Sequence, residues 1–220
     1  MRRLILPLAV TLPALVILLG LGTWQAERLG WKRDILARID AAEAAPPVPL
    51  PAAPTPFTKV EAAGRFDHAR EALVGLEVRG NHLGARLVVP LLRDGAAPLL
   101  VDRGWVPLDR AGAIDRPEGD VRVAGWVREA ERAGWFSATD DAAGRRFYSF
   151  DPAAIGAALG LPGAAPFALV ALGDARGLPA PDRAMPRPRN NHLGYAITWY
   201  GLAAALAGVF LVWARRRLKE

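Results

Sequence analysis

The sequence predicts a membrane protein in which two transmembrane α-helices, N- and C-terminal, flank a mainly-β external domain. That domain reads as a small barrel or sandwich with one short helix. Three observations carry the prediction. A long apolar run stands near each end of the 220-residue chain, the net charge of +6 collects around those runs, and the middle breaks into short apolar segments separated by glycine and aspartate turns. Residues 57–189 hold 18 basic against 17 acidic side chains, whereas the other 87 residues hold 10 against 5. A neutral folded middle has no electrostatic footprint for nucleic acid, so the excess charge belongs to a membrane.

The first run, residues 4–22, is uncharged, and the first charge after it is Glu27. At 1.5 Å per residue it crosses a hydrocarbon core of about 30 Å. A cleaved signal peptide is the alternative, but the run exceeds the roughly 7–15 apolar residues of such a leader and no small-x-small site follows it. Pro7 and Pro13 are tolerated within a span. The second run lies in the uncharged window 190–214 and ends in Arg215-Arg216-Arg217-Leu218-Lys219, a basic stop that reads as cytoplasmic. Its small residues four apart, Gly201 with Ala205 and Ala204 with Gly208, suit close approach of another helix, either the first span or a partner, although small residues are also simply common in spans.

Two spans place both termini on one side and the domain on the other, and the basic tails put the termini in the cytoplasm. The expected organisation is a tail at 1–3, a first span at 4–24, a helical stem and Pro-rich linker at 25–56, and the external domain at 57–178. A Pro/Arg-rich linker at 179–192, a second span at 193–214 and a basic tail at 215–220 complete it.

Within the domain, strands are expected over 71–78, 86–92, 98–101, 121–127, 146–150 and 167–172. Asp94-Gly95 joins the second and third as a hairpin turn requiring positive φ. Asp151 as N-cap, Pro152 in the first turn and Gly160 as stop mark a short helix over 152–159. Arg103-Gly104-Trp105 before Pro107 reads as a turn or bulge that needs glycine.

The chain has no cysteine, which excludes thiolate metal sites and a cysteine nucleophile. It also lacks a phosphate-binding glycine loop, a Gly-x-Ser-x-Gly elbow and a His-Glu-x-x-His motif. No enzyme is expected. His68 and His82 fall in strand-edge or loop contexts and read as surface residues. A pocket holding one of them beside a shielded carboxylate would revive an enzymatic reading. Asp102 and Asp109 flank Arg103-Gly104-Trp105, and an Asp-Arg pair there reads as a surface ion pair or a turn contact. His192 stands at the mouth of the second span, with Tyr195, Ala196 and Trp199 on its helical face. A histidine above an aromatic stripe suits ligation of a haem iron, although Tyr and Trp also gather at membrane interfaces for ordinary reasons.

Four segments together resemble the surfeit locus protein 1 family, assembly factors for haem–copper cytochrome c oxidase. They are Gly22-Thr-Trp24-Gln25-Ala-Glu-Arg28-Leu-Gly-Trp31-Lys32; Val89-Pro90-Leu91 with Asp94-Gly95 and Leu100-Val-Asp-Arg103-Gly104-Trp105-Val-Pro107; Gly125-Trp126-Val127-Arg128-Glu129; and Asn190-Asn191-His192-Leu-Gly-Tyr195-Ala-Ile-Thr-Trp199-Tyr200. Asp102 stands where the family often has asparagine. The resemblance implies a chaperone that assists insertion of haem a, bound transiently, into the catalytic subunit of the oxidase. It implies His192 as iron ligand with Tyr195 and Trp199 beside it. Trp24, Gln25, Arg28, Arg103, Gly104, Trp105 and Asn191 are expected in structural or partner-contacting roles. The expected partners are that catalytic subunit, haem a synthase and the lipid bilayer, with no nucleic acid, and the expected location is a bacterial-type inner membrane with the domain periplasmic. The alternative is a non-haem membrane scaffold that holds an assembling oxidase subunit.

Overall fold

The computed structural model describes residues 2–109, 112–131, 134–135, 137–174 and 176–219. Of the expected tails, Met1, the side chains of Arg2 and Arg3, and Glu220 lie outside the described residues. The chain divides into two units, residues 1–40 with 187–220 and residues 41–186.

The first unit is built from two helices long and apolar enough to cross a membrane. Helix α1 runs without a break over Arg2–Ala44, 43 residues with Pro7 and Pro13 inside it. The helical stem expected after the first span continues that span as the same helix. The helix is about 65 Å long, twice the hydrocarbon thickness, because the mixed acids and bases of its second half are as compatible with helix as the apolar half. Its partner α3 spans His192–Lys219 and closes on Arg216, Arg217 and Lys219, cations that suit a helix C-terminus.

Small residues at the crossing let the helices touch. A Cβ on Gly22 would meet the Tyr200 ring at 2.8 Å, and Tyr200 Oη lies 3.1 Å from Thr23 Oγ1. Ala196 and Ala203, one heptad apart, are the buried positions of α3. The pairs Gly201/Ala205 and Ala204/Gly208 are instead exposed, and nothing lies within 4 Å of a Cβ built on either glycine. The face of α3 that packs is thus rotated away from the glycine-containing pairs.

In the second unit five strands close into a ring. These are β2 (Lys59–Phe66), β4 (His82–Leu92), β5 (Leu99–Pro107), β6 (Asp120–Glu129) and β8 (Phe167–Ala171), in the order β2-β6-β8-β5-β4 and back to β2. The last junction is short, pairing Arg65 with Leu92 and Phe66 with Leu91. Of barrel and sandwich, the chain forms the barrel. Outside the ring, β1 (Val48–Pro49) adds in parallel to β2, β3 (Ala72–Arg79) pairs with β4, and β7 (Arg146–Phe147) pairs with β3.

Strand β2 was not foreseen, because Lys-Val-Glu-Ala-Ala-Gly-Arg-Phe has few β-branched residues; its period-2 burial at Val60 and Ala62 appears only once neighbours surround it. β7 is shorter than the expected 146–150.

β5 is buried on both faces. Leu99 and Val101 join Val60, Leu91, Val127 and Leu169 in one core cluster. Leu100 joins Val88, Phe150, Ile155 and Leu159 in a second, under helix α2 (Pro152–Ala158). The continuous apolar run at 98–101 follows from that double burial. The Asp151 carboxylate caps α2 by accepting from the backbone N–H groups of Ala153 and Ala154.

The register of β4 on β5 slips between Leu87 and Val88, since Leu87 faces Gly104 while Val88 faces Asp102. Arg103 is the extra residue of a bulge, and Gly104 adopts φ +126°. A Cβ on Gly104 would run into the carbonyl of Ala180. Trp105 and Ala180 exchange two backbone hydrogen bonds of 2.9 Å, so the proline-rich chain after β8 lies against β5, and Met185 within it is buried.

Two stability predictions follow from these contacts. Gly104→Val combines backbone strain with a backbone collision and should destabilise the protein by roughly 3 kcal/mol or more; an unchanged melting temperature would contradict the account. Asp151→Ala should destabilise by about 1 kcal/mol in denaturant unfolding, and no shift of the midpoint would show the cap to be dispensable.

Candidate functional site

Three residues that the sequence singled out separately meet in the helix unit. His192 opens α3, and its Nδ1 lies 2.6 Å from Oε1 of Gln25, on α1. Gln25 is only 9 % exposed, so its amide faces His192 in a site that water barely reaches. Trp24 stands edge-on to the imidazole, with ring centroids 6.4 Å apart and an interplanar angle of 85°. His192 itself is half-buried, and among the described residues its Nε2 enters no hydrogen bond. Tyr195 is exposed and Trp199 half-buried; among the described residues neither makes a ring contact with His192. The Asn191 carbonyl accepts the Tyr195 N–H at 3.4 Å in the first turn of α3. One turn along α1 from Trp24, the Arg28 guanidinium lies 3.8 Å over the Trp31 ring, an arrangement that keeps the charge near solvent while its stem lies on apolar surface.

No group of three or more His, Asp or Glu side chains suited to a metal ion occurs among the described residues. A haem, whose porphyrin fills four coordination positions, needs only one axial imidazole and an apolar surround. His192, with one nitrogen engaged and the other available, fits that requirement.

The domain carries a second polar constellation, and here the sequence reading is corrected. Asp102 is 1 % exposed and its ionic partner is Arg86 rather than Arg103, so the surface pair is absent while the turn contact is made, through the Gly104 N–H. Arg86 Nε donates to both Asp102 oxygens at 3.0 and 2.9 Å, and Arg86 Nη1 donates to Asp182 Oδ1 at 2.7 Å. The Gly104 N–H donates to Asp102 Oδ1 at 3.0 Å. Burial pushes the Asp102 carboxyl up, against the opposing pull of Arg86, Arg128 and the Gly104 amide. For Arg86, burial works against the charge, but Asp102 and Asp182 outweigh it and hold the guanidinium protonated above its usual range. No spacing in the sequence pointed to Arg86 or Asp182, which lie 16 and 80 positions from Asp102.

Arg103 instead donates to the Asp115 carbonyl at 2.7 Å and lies 4.9 Å over the Phe66 ring, at the edge of a cavity of about 440 Å³. Trp105 is 8 % exposed and its indole N–H donates to the Glu77 carbonyl at 3.0 Å. Arg103, Gly104 and Trp105 thus work chiefly as parts of the fold.

His82 is exposed as expected, whereas His68 is half-buried. His68 Nε2 lies 3.0 Å from the Pro117 carbonyl and Nδ1 3.6 Å from Glu71 Oε1. This is the His-carboxylate pair that would revive an enzyme reading, and a cavity of about 240 Å³ adjoins it. However, Arg116 occupies both Glu71 oxygens at 2.7 and 2.9 Å, and among the described residues no hydroxyl or thiol lines the cavity. Glu71 is thus committed chiefly to its ion pair with Arg116.

Fold and site together define a protein with two terminal helices able to span a membrane, a small β-barrel between them, and a histidine held between the helices. The SURF1 family model matches residues 12–204. Surfeit locus protein 1 of Homo sapiens is 30 % identical over 227 residues, covering 91 % of this chain and 74 % of that protein. The surfeit locus protein 1 of Mus musculus is 31 % identical, covering 84 % of this chain and 68 % of its own length. A SURF1-like protein of Drosophila melanogaster is 31 % identical, covering 91 % and 74 %. The chain belongs to the SURF1 family.

The buried pair makes a prediction of its own. Asp102→Leu should destabilise the domain by about 3 kcal/mol, because Arg86 loses one counter-ion and the Gly104 N–H its acceptor. The double substitution Asp102→Leu with Arg86→Met should recover much of that loss, as measured by denaturant unfolding. A double variant as unstable as the summed single variants would show that charge pairing is not what the site provides.

Proposed function

We propose that this protein is an assembly factor for haem–copper cytochrome c oxidase that assists insertion of haem a into the catalytic subunit, with haem a as its cargo. The observation that carries the reading is the His192 site. A half-buried imidazole with an available nitrogen, at the start of an apolar helix and edged by Trp24, suits an apolar macrocycle that must stay at the membrane surface. Membership in the SURF1 family supports it, through the oxidase assembly role that the resemblance implies.

In this reading α1 and α3 span a bacterial-type inner membrane, the basic ends stay in the cytoplasm, and the barrel stands on the periplasmic side. His192 contributes the axial bond, Trp199 and Tyr195 offer aromatic surface, and the catalytic subunit receives the haem, with haem a synthase as donor. The protein performs no bond-making reaction on a substrate and acts as a holder. The non-haem scaffold is favoured by one observation, the exposed Gly201–Ala205 and Ala204–Gly208 faces of α3, which suit a partner's helix.

Cells lacking the protein should make an oxidase poor in haem a. The wild-type gene should restore the haem a content of the purified oxidase, His192→Ala should not, and Trp199→Ala should restore it in part, because losing a stacking surface matters less than losing a ligand bond. Full restoration by His192→Ala would favour the scaffold.

A further inference from the structure

We infer that Gln25 is a positioning residue that selects which nitrogen of His192 is offered to a haem iron. The inference rests on the haem reading given above and extends it to a residue on the other helix. The Gln25 carbonyl oxygen Oε1 is a pure acceptor and lies 2.6 Å from His192 Nδ1. A contact that short requires Nδ1 to carry the hydrogen and donate it. In the neutral ring the lone pair then sits on Nε2, the nitrogen that makes no hydrogen bond among the described residues. An unconstrained neutral imidazole carries its proton mostly on Nε2, where it blocks a bond from that atom. Gln25 therefore holds His192 in its minor tautomer, already prepared for ligation through Nε2.

The side chain can do this because it is itself fixed. Gln25 is 9 % exposed, so little water competes for Nδ1. Gly22, one turn earlier on α1, is packed against the Tyr200 ring of α3, and Thr23 Oγ1 reaches Tyr200 Oη at 3.1 Å. Those contacts fix the height of α1 on α3 and with it the distance from Gln25 to His192. Asn at position 25 is one methylene too short to span the same gap.

The first arm of the test needs no haem. The full-length protein, labelled with ¹⁵N-histidine and held in detergent micelles, contains three histidines, and His192→Ala identifies the His192 signals. The neutral ring should show a protonated Nδ1 and an unprotonated Nε2 in the wild type and in Gln25→Glu, which keeps the acceptor. In Gln25→Leu and Gln25→Asn the proton should move to Nε2. An unprotonated Nδ1 in the wild type would overturn the inference.

The second arm titrates haem a into the same proteins and follows the Soret band. Gln25→Leu should weaken binding about tenfold to a hundredfold, and Gln25→Glu should bind at near wild-type strength with a lower reduction potential. Wild-type affinity, spectrum and potential in both Gln25→Leu and Gln25→Asn, with His192→Ala unable to bind, would overturn the role of Gln25 and leave the haem reading standing. Absence of binding by the folded wild type would overturn both, whatever the tautomer.

Discussion

A carboxylate can be almost fully buried only where charge and hydrogen bonds meet it from several sides, and the placement of Asp102 on β5 follows from that constraint. Arg86 reaches it from β4, the Gly104 amide reaches it from within the bulge, and Arg86 also joins Asp182 on the returning chain. The bulge turns the Gly104 amide towards the carboxylate, and the lack of a Cβ at Gly104 lets the Ala180 backbone approach β5. One buried charge thereby ties together two barrel strands and the segment that follows β8. An asparagine at this position would keep the Gly104 hydrogen bond but relinquish the ion pair.

The helix unit depends on a different economy of contacts. Two apolar helices in lipid gain little from hydrophobic burial against each other, so close packing and hydrogen bonds must hold them. Gly22 and the buried Ala196 and Ala203 supply the close packing, while Thr23–Tyr200 and Gln25–His192 supply the polar contacts. A polar pair at such a crossing both joins the helices and fixes the orientation of an imidazole. In the proposed function that second effect makes a holder for haem from two otherwise plain spans.

Much of the fold was legible because its signals are local. The uncharged runs, the Asp94-Gly95 turn, the Asp151 cap with Pro152 and Gly160, and the glycine demanded by the bulge each lie within a few residues. β2 was not legible, since Ala62, Ala63 and Gly64 become strand only through pairing with β6. The sequence likewise grouped His192 with Tyr195 and Trp199 by helical spacing, whereas its hydrogen-bond partner lies 167 positions away on α1. Separations of 16 and 80 positions likewise hid Arg86 and Asp182 from Asp102. Residues whose roles depend on which elements become neighbours leave no periodic trace, although the hairpin register does bring Arg86 near the bulge once its one-residue slip is known.

The most direct measurement is an optical spectrum of the detergent-purified protein produced in cells that synthesise haem a, recorded beside His192→Ala. The account predicts a stoichiometric haem a band in the wild type that is lost in the variant while the protein stays folded. A folded wild-type protein without the band, or a band undiminished by His192→Ala, would contradict it.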